Sequence, residues 1–417
     1  MKAMVKVSVA AVALAFGAAA YADGVTMYGN IDIGVMSASK SCTTMTAGGA
    51  CTGTGSVIGL QGSQMQANDF GLKGSESLGN GLTAGFDLEG GFNLANGSLG
   101  VAGGNSTTVY PTAVGSPNNS SLGSYAGSIF SRTADVSLSG DWGTVAAGNQ
   151  VDPALIASAS TEPRGLTYSL SLLDAWVLTS AESNSTGSNF ANTLATGSVF
   201  DNNSLSYSYS ANGLYVGALY GFGGIAGSSS AAQQTSIGAS YTYDNFAVSG
   251  SFAKNKQVGL NAGSAVDGSQ IADFGLGYTY GSWAIRAQYG EFKDYGAASL
   301  AGTGGNLVDD FKVWGIGVDY NTNAANKLNL SFYDGKNSSA STDNKTQEIA
   351  LMDNYSLSKR TTVYGQIASL KLDANAGLIG SAMGGLFTPV GAIGVSSVNG
   401  SSSERTTYIG VGMTHSF

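Results

Sequence analysis

The chain has 417 residues, of which only 11% are charged, with 62 Gly, 20 Tyr, 16 Phe and 5 Pro. An ordinary soluble domain carries about 25% charged residues, while mean hydropathy here is close to zero, too polar for a bundle of membrane helices. A formal net charge of −9 argues against a nucleic-acid partner.

The chain opens with Lys2 and Lys6, an apolar run to Ala20, and the small-x-small site Ala20-Tyr21-Ala22. This pattern predicts a cleaved secretory signal over residues 1–22 and a mature domain over 23–417. The later sequence contains no run of some 18–20 apolar residues that could span a bilayer as a helix. Cys42 and Cys51 are the only cysteines. In an exported, oxidising setting they are expected to form a structural disulfide. With no second ligand type near them, they do not form a metal site.

Alternation dominates the mature chain. Leu205, Tyr207 and Tyr209 share one face of "SLSYSYS", with Ser206 and Ser208 on the other. "SIGASYTY" (from Ser236), "DFGLGYTY" (from Asp273) and "KLNLSF" (from Lys327) repeat the pattern. Period two means strands. The second face carries mostly Gly, Ser and Thr instead of the Lys and Glu of a sandwich surface. Aromatics gather toward the ends of the apolar faces, as in membrane-interface girdles. The architecture expected is an all-β, antiparallel transmembrane barrel with a lipid-facing exterior and a wet interior.

Short connections at Ser77–Gly81, Asp141–Gly143, Tyr243–Asn245 and Asn321–Asn326 alternate with long polar segments near 37–64, 96–124, 151–203, 223–234, 255–270, 294–309, 335–346 and 372–403. Sixteen strands are expected, beginning near Met27, Gln64, Leu82, Ile129, Thr144, Ser204, Leu214, Thr235, Phe246, Ile271, Trp283, Phe311, Lys327, Gln347, Thr361 and Arg405. Pro111, Pro117, Pro153, Pro163 and Pro389 all fall in the long segments, as a hydrogen-bonded ladder demands.

Four stretches carry a family likeness: "VTMYGNIDIGV" from Val25, "FGLKGSESLGNGLTAGFDLE" from Phe70, "SLSGDWGTVAAGNQ" from Ser137 and "YSLSKRTTVYGQIASL" from Tyr355. With the closing "THSF", they resemble the general porins of beta-proteobacteria, from Asp23 to Phe417. The resemblance implies a 16-stranded β-barrel with short periplasmic turns and long extracellular loops. It further implies that the third long loop folds into the lumen and that the assembly is a homotrimer in the outer membrane. It also implies that the terminal Phe417 is a signal for the outer-membrane assembly machinery. The chain departs from the family at the pore. Asn68-Asp69 stands where relatives often have Ser-Arg, and Gly148-Asn149-Gln150 where they often have Gly-Arg-Gln, while Arg132 in "FSRTAD" matches a family arginine.

The segment 151–203 is long enough to be functional. It carries Asp152, Glu162, Asp174, Glu182 and Asp201 against Arg164 alone. If it lines the constriction, its carboxylates favour cations. Asp152, Glu162, Arg164 and Asp174 are the expected constriction residues, and Asp69, Lys73, Asp87, Glu89, Arg132 and Arg286 the expected wall lining. By alternation Arg132 belongs with the outward Val136 and Leu138, so its pore role rests on the resemblance. The apolar "LSLLDAWVL" (Leu170–Leu178) inside this loop is expected to pack against the wall, the alternative being a substrate slide.

The function expected is passive diffusion of small hydrophilic solutes and ions, weakly cation-preferring, with no cofactor. The alternatives are a substrate-selective porin, or a surface adhesin or receptor acting through its loops. A single His415 leaves no Ser-His-Asp set, so an enzyme is not expected.

Overall fold

The computed structural model describes residues 24–45, 51–92, 94, 97, 99, 129–176, 199–224, 226–258, 265–295, 309–338, 345–373 and 404–417. Antiparallel strands account for nearly all of them: β1 (Thr26–Met45), β2 (Cys51–Gly62), β3 (Asp69–Gly79), β4 (Leu82–Gly91), β5 (Thr133–Gly140), β6 (Gly143–Val151), β7 (Phe200–Ala211), β8 (Leu214–Gly221), β9 (Gln234–Tyr243), β10 (Phe246–Val258), β11 (Ala265–Tyr280), β12 (Trp283–Asp294), β13 (Asp309–Asn321), β14 (Asn326–Asn337), β15 (Lys345–Ser356), β16 (Thr361–Leu372) and β17 (Glu404–Ser416). One short helix, α1 (Pro153–Ala159), follows β6. Each strand pairs with its neighbour in sequence except that β2 and β3 both pair with β1 and not with each other, and β17 returns to β1. That pairing of the first and last strands closes the sheet on itself.

The seventeen strands form a closed 16-stranded barrel because β2 and β3 are two pieces of one stave. β2 pairs with the loop-side half of β1 (Ile33 to Met45), and β3 with the turn-side end (Thr26 to Asn30). Between them, residues 63–68 leave the ladder. The expected strand start at Gln64 therefore falls inside a break, and much of the segment 37–64, expected as a loop, is β-hairpin. The Asn68 side chain replaces the missing strand: its Nδ2 donates to the Asp32 carbonyl at 3.0 Å and its Oδ1 accepts from the Asp32 N–H at 2.5 Å. The Asp32 carboxylate then accepts from the N–H groups of Met65 and Gln66 (2.6 and 2.9 Å) and from the Tyr364 hydroxyl (2.6 Å). Every buried backbone group needs a partner, and here one asparagine and one aspartate supply them.

Other expected starts lie close to those observed. The exceptions are Ile129, where β5 begins at Thr133, Ser204, where β7 begins four residues earlier at Phe200, and Ile271, where β11 begins six residues earlier at Ala265. The tight turns match the sequence. Asn80-Gly81 and Asn212-Gly213 all have positive φ, the paired left-handed conformation of a two-residue hairpin. Pro153 opens α1, Pro163 lies in the loop after it, and the other three prolines lie outside the described residues. The expected signal at 1–22 also lies outside them. So do the side chains of Cys42 and Cys51, whose backbones stand opposite Thr54 and Met45.

The outer face is apolar, with Phe274, Leu276, Leu330, Ile349 and Val411 exposed. Rings crowd the turn end: Trp283 stacks on Tyr320 at 4.2 Å, Phe246 leans on Tyr278 at 4.7 Å, and Trp142 stacks on Tyr207. On β17, Ile409, Val411, Met413 and Phe417 share the outer face, and His415 Nδ1 meets the Thr361 hydroxyl at 2.9 Å. The terminal Phe417 is fixed by its backbone, its N–H donating to the Gly29 carbonyl at 3.0 Å.

The inner face departs from expectation. Near the turns it is small and polar, as predicted. Toward the loops it becomes apolar on β1 and β10–β17, through Met36, Ile271, Phe292, Phe311, Val313, Tyr333, Leu370, Leu372 and Tyr408. The reason is a second core inside the barrel, built with Leu155, Leu166, Leu170, Leu172, Leu173 and Trp176 of the segment after β6.

Candidate functional site: the pore wall and its third loop

Asp152 starts the third loop by capping α1, its Oδ1 accepting from the Ala154 N–H at 2.6 Å. With Pro153 in the first turn, the chain bends inward as a helix. The wall is shaped to receive it. Gly217 and Gly238 lie against Pro153, Ala154 and Ala157, where a Cβ would collide. Beyond α1, the loop is tied along the wall by Thr161 to Ser249 (2.6 Å), the Gln288 Nε2 to Ser158 (2.9 Å), and the Asn329 Nδ2 to the Pro163 carbonyl (3.1 Å).

Glu162 is the hub of the loop. Its carboxylate accepts from the N–H groups of Arg164, Leu166 and Leu172 and from the Tyr333 hydroxyl, at 2.7, 2.8, 3.2 and 2.6 Å. Arg164 reaches Gln366 Oε1 at 3.2 Å and lies near Ser331. Ser169 donates to the Gln64 carbonyl at 2.7 Å, and the Tyr168 N–H to the Met65 carbonyl. The stave break at 63–68 is thus the socket for the far end of the loop. Leu170, Leu172, Leu173 and Trp176 pack against the wall, with Trp176 edge-on to Phe292.

The expected constriction charges are therefore not presented to the lumen. Asp152, Glu162, Arg164 and Asp174 are all buried. Burial pushes the Asp152 carboxyl up to about 6. It holds Asp174 well above the usual carboxylate range, with the Glu348 carboxylate adding to the shift. Asp201, read as part of the loop, lies in β7. The partly exposed described loop residues are Ile156, Ala159, Gly165, Thr167 and Tyr168, none of them charged. Among the described residues the loop uses its charges to fold and presents none of them as a loop-borne field, while Glu182 lies outside the described residues.

The wall residues do come together. Lys73 stands opposite Asp87, and Asp87 opposite Asp135, on the inner face of β3, β4 and β5. Lys73 lies over the Tyr28 ring at 4.7 Å, and the Tyr28 hydroxyl donates to Asp87 at 2.5 Å. Arg132 turns inward after all. It precedes β5, where the alternation that predicted an outward side chain does not apply. Its guanidinium pairs with Glu89, lies 3.9 Å from Asp69, donates to the Tyr168 hydroxyl at 2.7 Å and covers the Phe200 ring at 4.7 Å. Asn149, where relatives often have Arg, donates to the Arg132 carbonyl at 2.7 Å. Across the lumen, Arg286 pairs with Asp319 at 2.5 Å beside Gly165 of the loop, and Lys327 lies 3.9 Å from the same carboxylate.

Asp135, Asp319 and Tyr28 were legible from alternation but not singled out. Tyr168 gave no signal, since loop residues have no period. The arrangement is an acidic β4–β5 wall with, among the described residues, an uncharged loop edge. Among the described residues, no group of three or more His, Cys, Asp or Glu could hold a metal.

The model of the Gram-negative porin family matches residues 8–375. The chain belongs to the Gram-negative porin family. It is accordingly a multi-pass protein of the outer membrane, forming a porin channel. Among solved structures, an anion-selective porin from Comamonas acidovorans is similar at 24% identity, covering 94% of this chain and 99% of that one, with a TM-score of 0.67. The Salmonella typhi OmpF complex with daunomycin is similar at 13% identity, with 94% and 97% covered and a TM-score of 0.55. The trimer form of OmpT from Vibrio cholerae is similar at 12%, with 94% and 99% covered and a TM-score of 0.53. No curated protein matches the chain. These likenesses show the fold.

Proposed function

We propose that this porin passes small hydrophilic solutes and ions passively down their gradients, as a homotrimer, with a weak preference for cations. One observation carries the preference: the inner face of β4–β5 sets Asp87 directly opposite Asp135, beside Glu89, while the described loop edge facing the lumen carries no charge. Lys73 and Arg132 offset part of that charge, so the preference is weak. Carboxylates in a narrow aqueous hole raise the local concentration of cations. The Comamonas acidovorans porin is anion-selective by its title, so the sign is open to direct contradiction. The trimer form of OmpT supports the trimeric state. Packing of Leu170, Leu172 and Trp176 into the wall favours general diffusion over an apolar substrate slide.

The test is liposome swelling and ion permeability with wild type and an Asp87→Asn/Asp135→Asn variant. Uncharged sugars should enter at the same rate through both, while the K⁺/Cl⁻ permeability ratio falls about twofold or more in the variant, by loss of local focusing. An unchanged ratio would remove the wall from the account of selectivity.

A further inference from the structure

The third loop begins and ends beside one buried acid pair. Asp152 stands at its start, and its N–H donates to the carbonyl of Val199 at 3.0 Å. Asp201 follows just after, and the pairing of Gln150 with Asp201 sets the two ends of the loop side by side. One oxygen of Asp152 caps α1, and the two carboxyls lie within hydrogen-bonding reach of each other. Ionised carboxyls at that range repel, and they need either a shared proton or a cation between them. Lys254 is nearby, but its Nζ is held by Asp267 at 2.7 Å.

Both acids line a recess of about 10 Å³ between the neck of the loop and strands β9–β11, where Gln234 joins them. That is the room one ion or one water occupies. Asp152, Asp201 and Gln234 are each more than nine-tenths buried. Asp201 Oδ2 and both polar atoms of the Gln234 amide have no hydrogen-bond partner. Leaving a buried carboxylate oxygen and a buried amide unpaired is costly, so the recess suits an occupant that offers them a partner. The wall makes room for the amide: Gly221 stands opposite Gln234, and a Cβ there would come within 2.3 Å of the Gln234 Oε1.

We propose that this recess binds one calcium ion, held by the Asp152 and Asp201 carboxylates and the Gln234 amide oxygen. The ligands are all oxygens, which selects a hard cation, and the two carboxylates match a double charge. Calcium accepts carboxylates, amide carbonyls and waters in irregular geometry, where magnesium demands a near-ideal octahedron. The ion ties the start of the loop to its end and both to β9 of the wall, and so staples the neck from which the rest of the loop extends. None of its three ligands belongs to the charged β4–β5 wall, so the site stands apart from the proposed charge preference.

Calorimetric titration of the folded, chelator-treated protein in detergent with calcium chloride tests this, in neutral buffer. Wild type should take up one equivalent, and an Asp201→Asn variant should bind about tenfold or more weakly, having lost one charged ligand. A Gln234→Glu variant should bind about tenfold more tightly. That side chain makes no hydrogen bond in the fold, so a third carboxylate is gained without loss, and a misfolded protein cannot mimic the gain. Hydrogen exchange of the amides of 153–159 should slow on calcium addition in wild type and Gln234→Glu but not in Asp201→Asn. No uptake by wild type would overturn the proposal and leave the acid pair sharing a proton. Equal affinity in all three proteins would place the ion elsewhere and overturn the site.

Discussion

At the scale of single residues, the described carboxylates of the third loop are structural. Glu162 holds three backbone N–H groups and one hydroxyl. A Glu162→Ala change leaves those donors without an acceptor, at a cost of about 1–3 kcal/mol for each that stays buried. Hydrogen exchange should show the amides of 153–176 losing protection while the strands keep theirs; unchanged protection would mean that the hub is redundant. Asp152 adds a pH dependence. Burial raises its folded-state pKa from 3.8 to about 6, so between those values the folded loop binds the proton more tightly than the unfolded one. Anchoring of the loop through Asp152 therefore weakens as pH rises from about 4 to 6, and Asp174, held higher by burial, extends the loss above that. Proteolysis of the loop in detergent should accelerate over this window. An Asp152→Asn variant keeps the helix cap and should show no such step.

At the scale of elements, the broken second stave links barrel and loop. Residues 63–68 interrupt β2–β3, and Gln64 and Met65 receive Ser169 and Tyr168 of the loop. Asn68 makes the break affordable by pairing with both backbone groups of Asp32. Asn68→Ala should destabilise the barrel by about 2–4 kcal/mol, since two buried backbone groups lose their partners. The assay is the temperature at which the folded band is lost on a semi-native gel, and an unaltered midpoint would show that water replaces the amide without cost. Sequence alone singled out Asp69 for the pore wall and gave Asn68 no role of its own. Its amide works within the wall instead.

At the scale of the molecule, the barrel was legible because alternation, tight turns and excluded prolines all report one backbone pattern. Strands such as β4, β8, β10, β12 and β16 begin where the pattern changes, at Leu82, Leu214, Phe246, Trp283 and Thr361. The loop was not legible in the same way. Whether Glu162 faces water or Tyr333 depends on a contact 171 residues away in sequence, and no local period encodes that. The inner face misled for a related reason: Phe292, Phe311 and Leu370 look outward-facing by hydrophobicity but pack against the loop inside. Alternation gave the correct side for Lys73, Asp87 and Arg286, and failed for Arg132 where the strand had not yet begun.

In the proposed function the barrel is an open aqueous channel whose weak charge preference comes from the β4–β5 wall. The reversal potential of wild-type channels in a planar bilayer under a KCl gradient tests it most directly. Ohmic conductance in steps is expected, with a small potential of the sign for K⁺ preference. Absence of conductance, or a potential of the Cl⁻-selective sign, would contradict it.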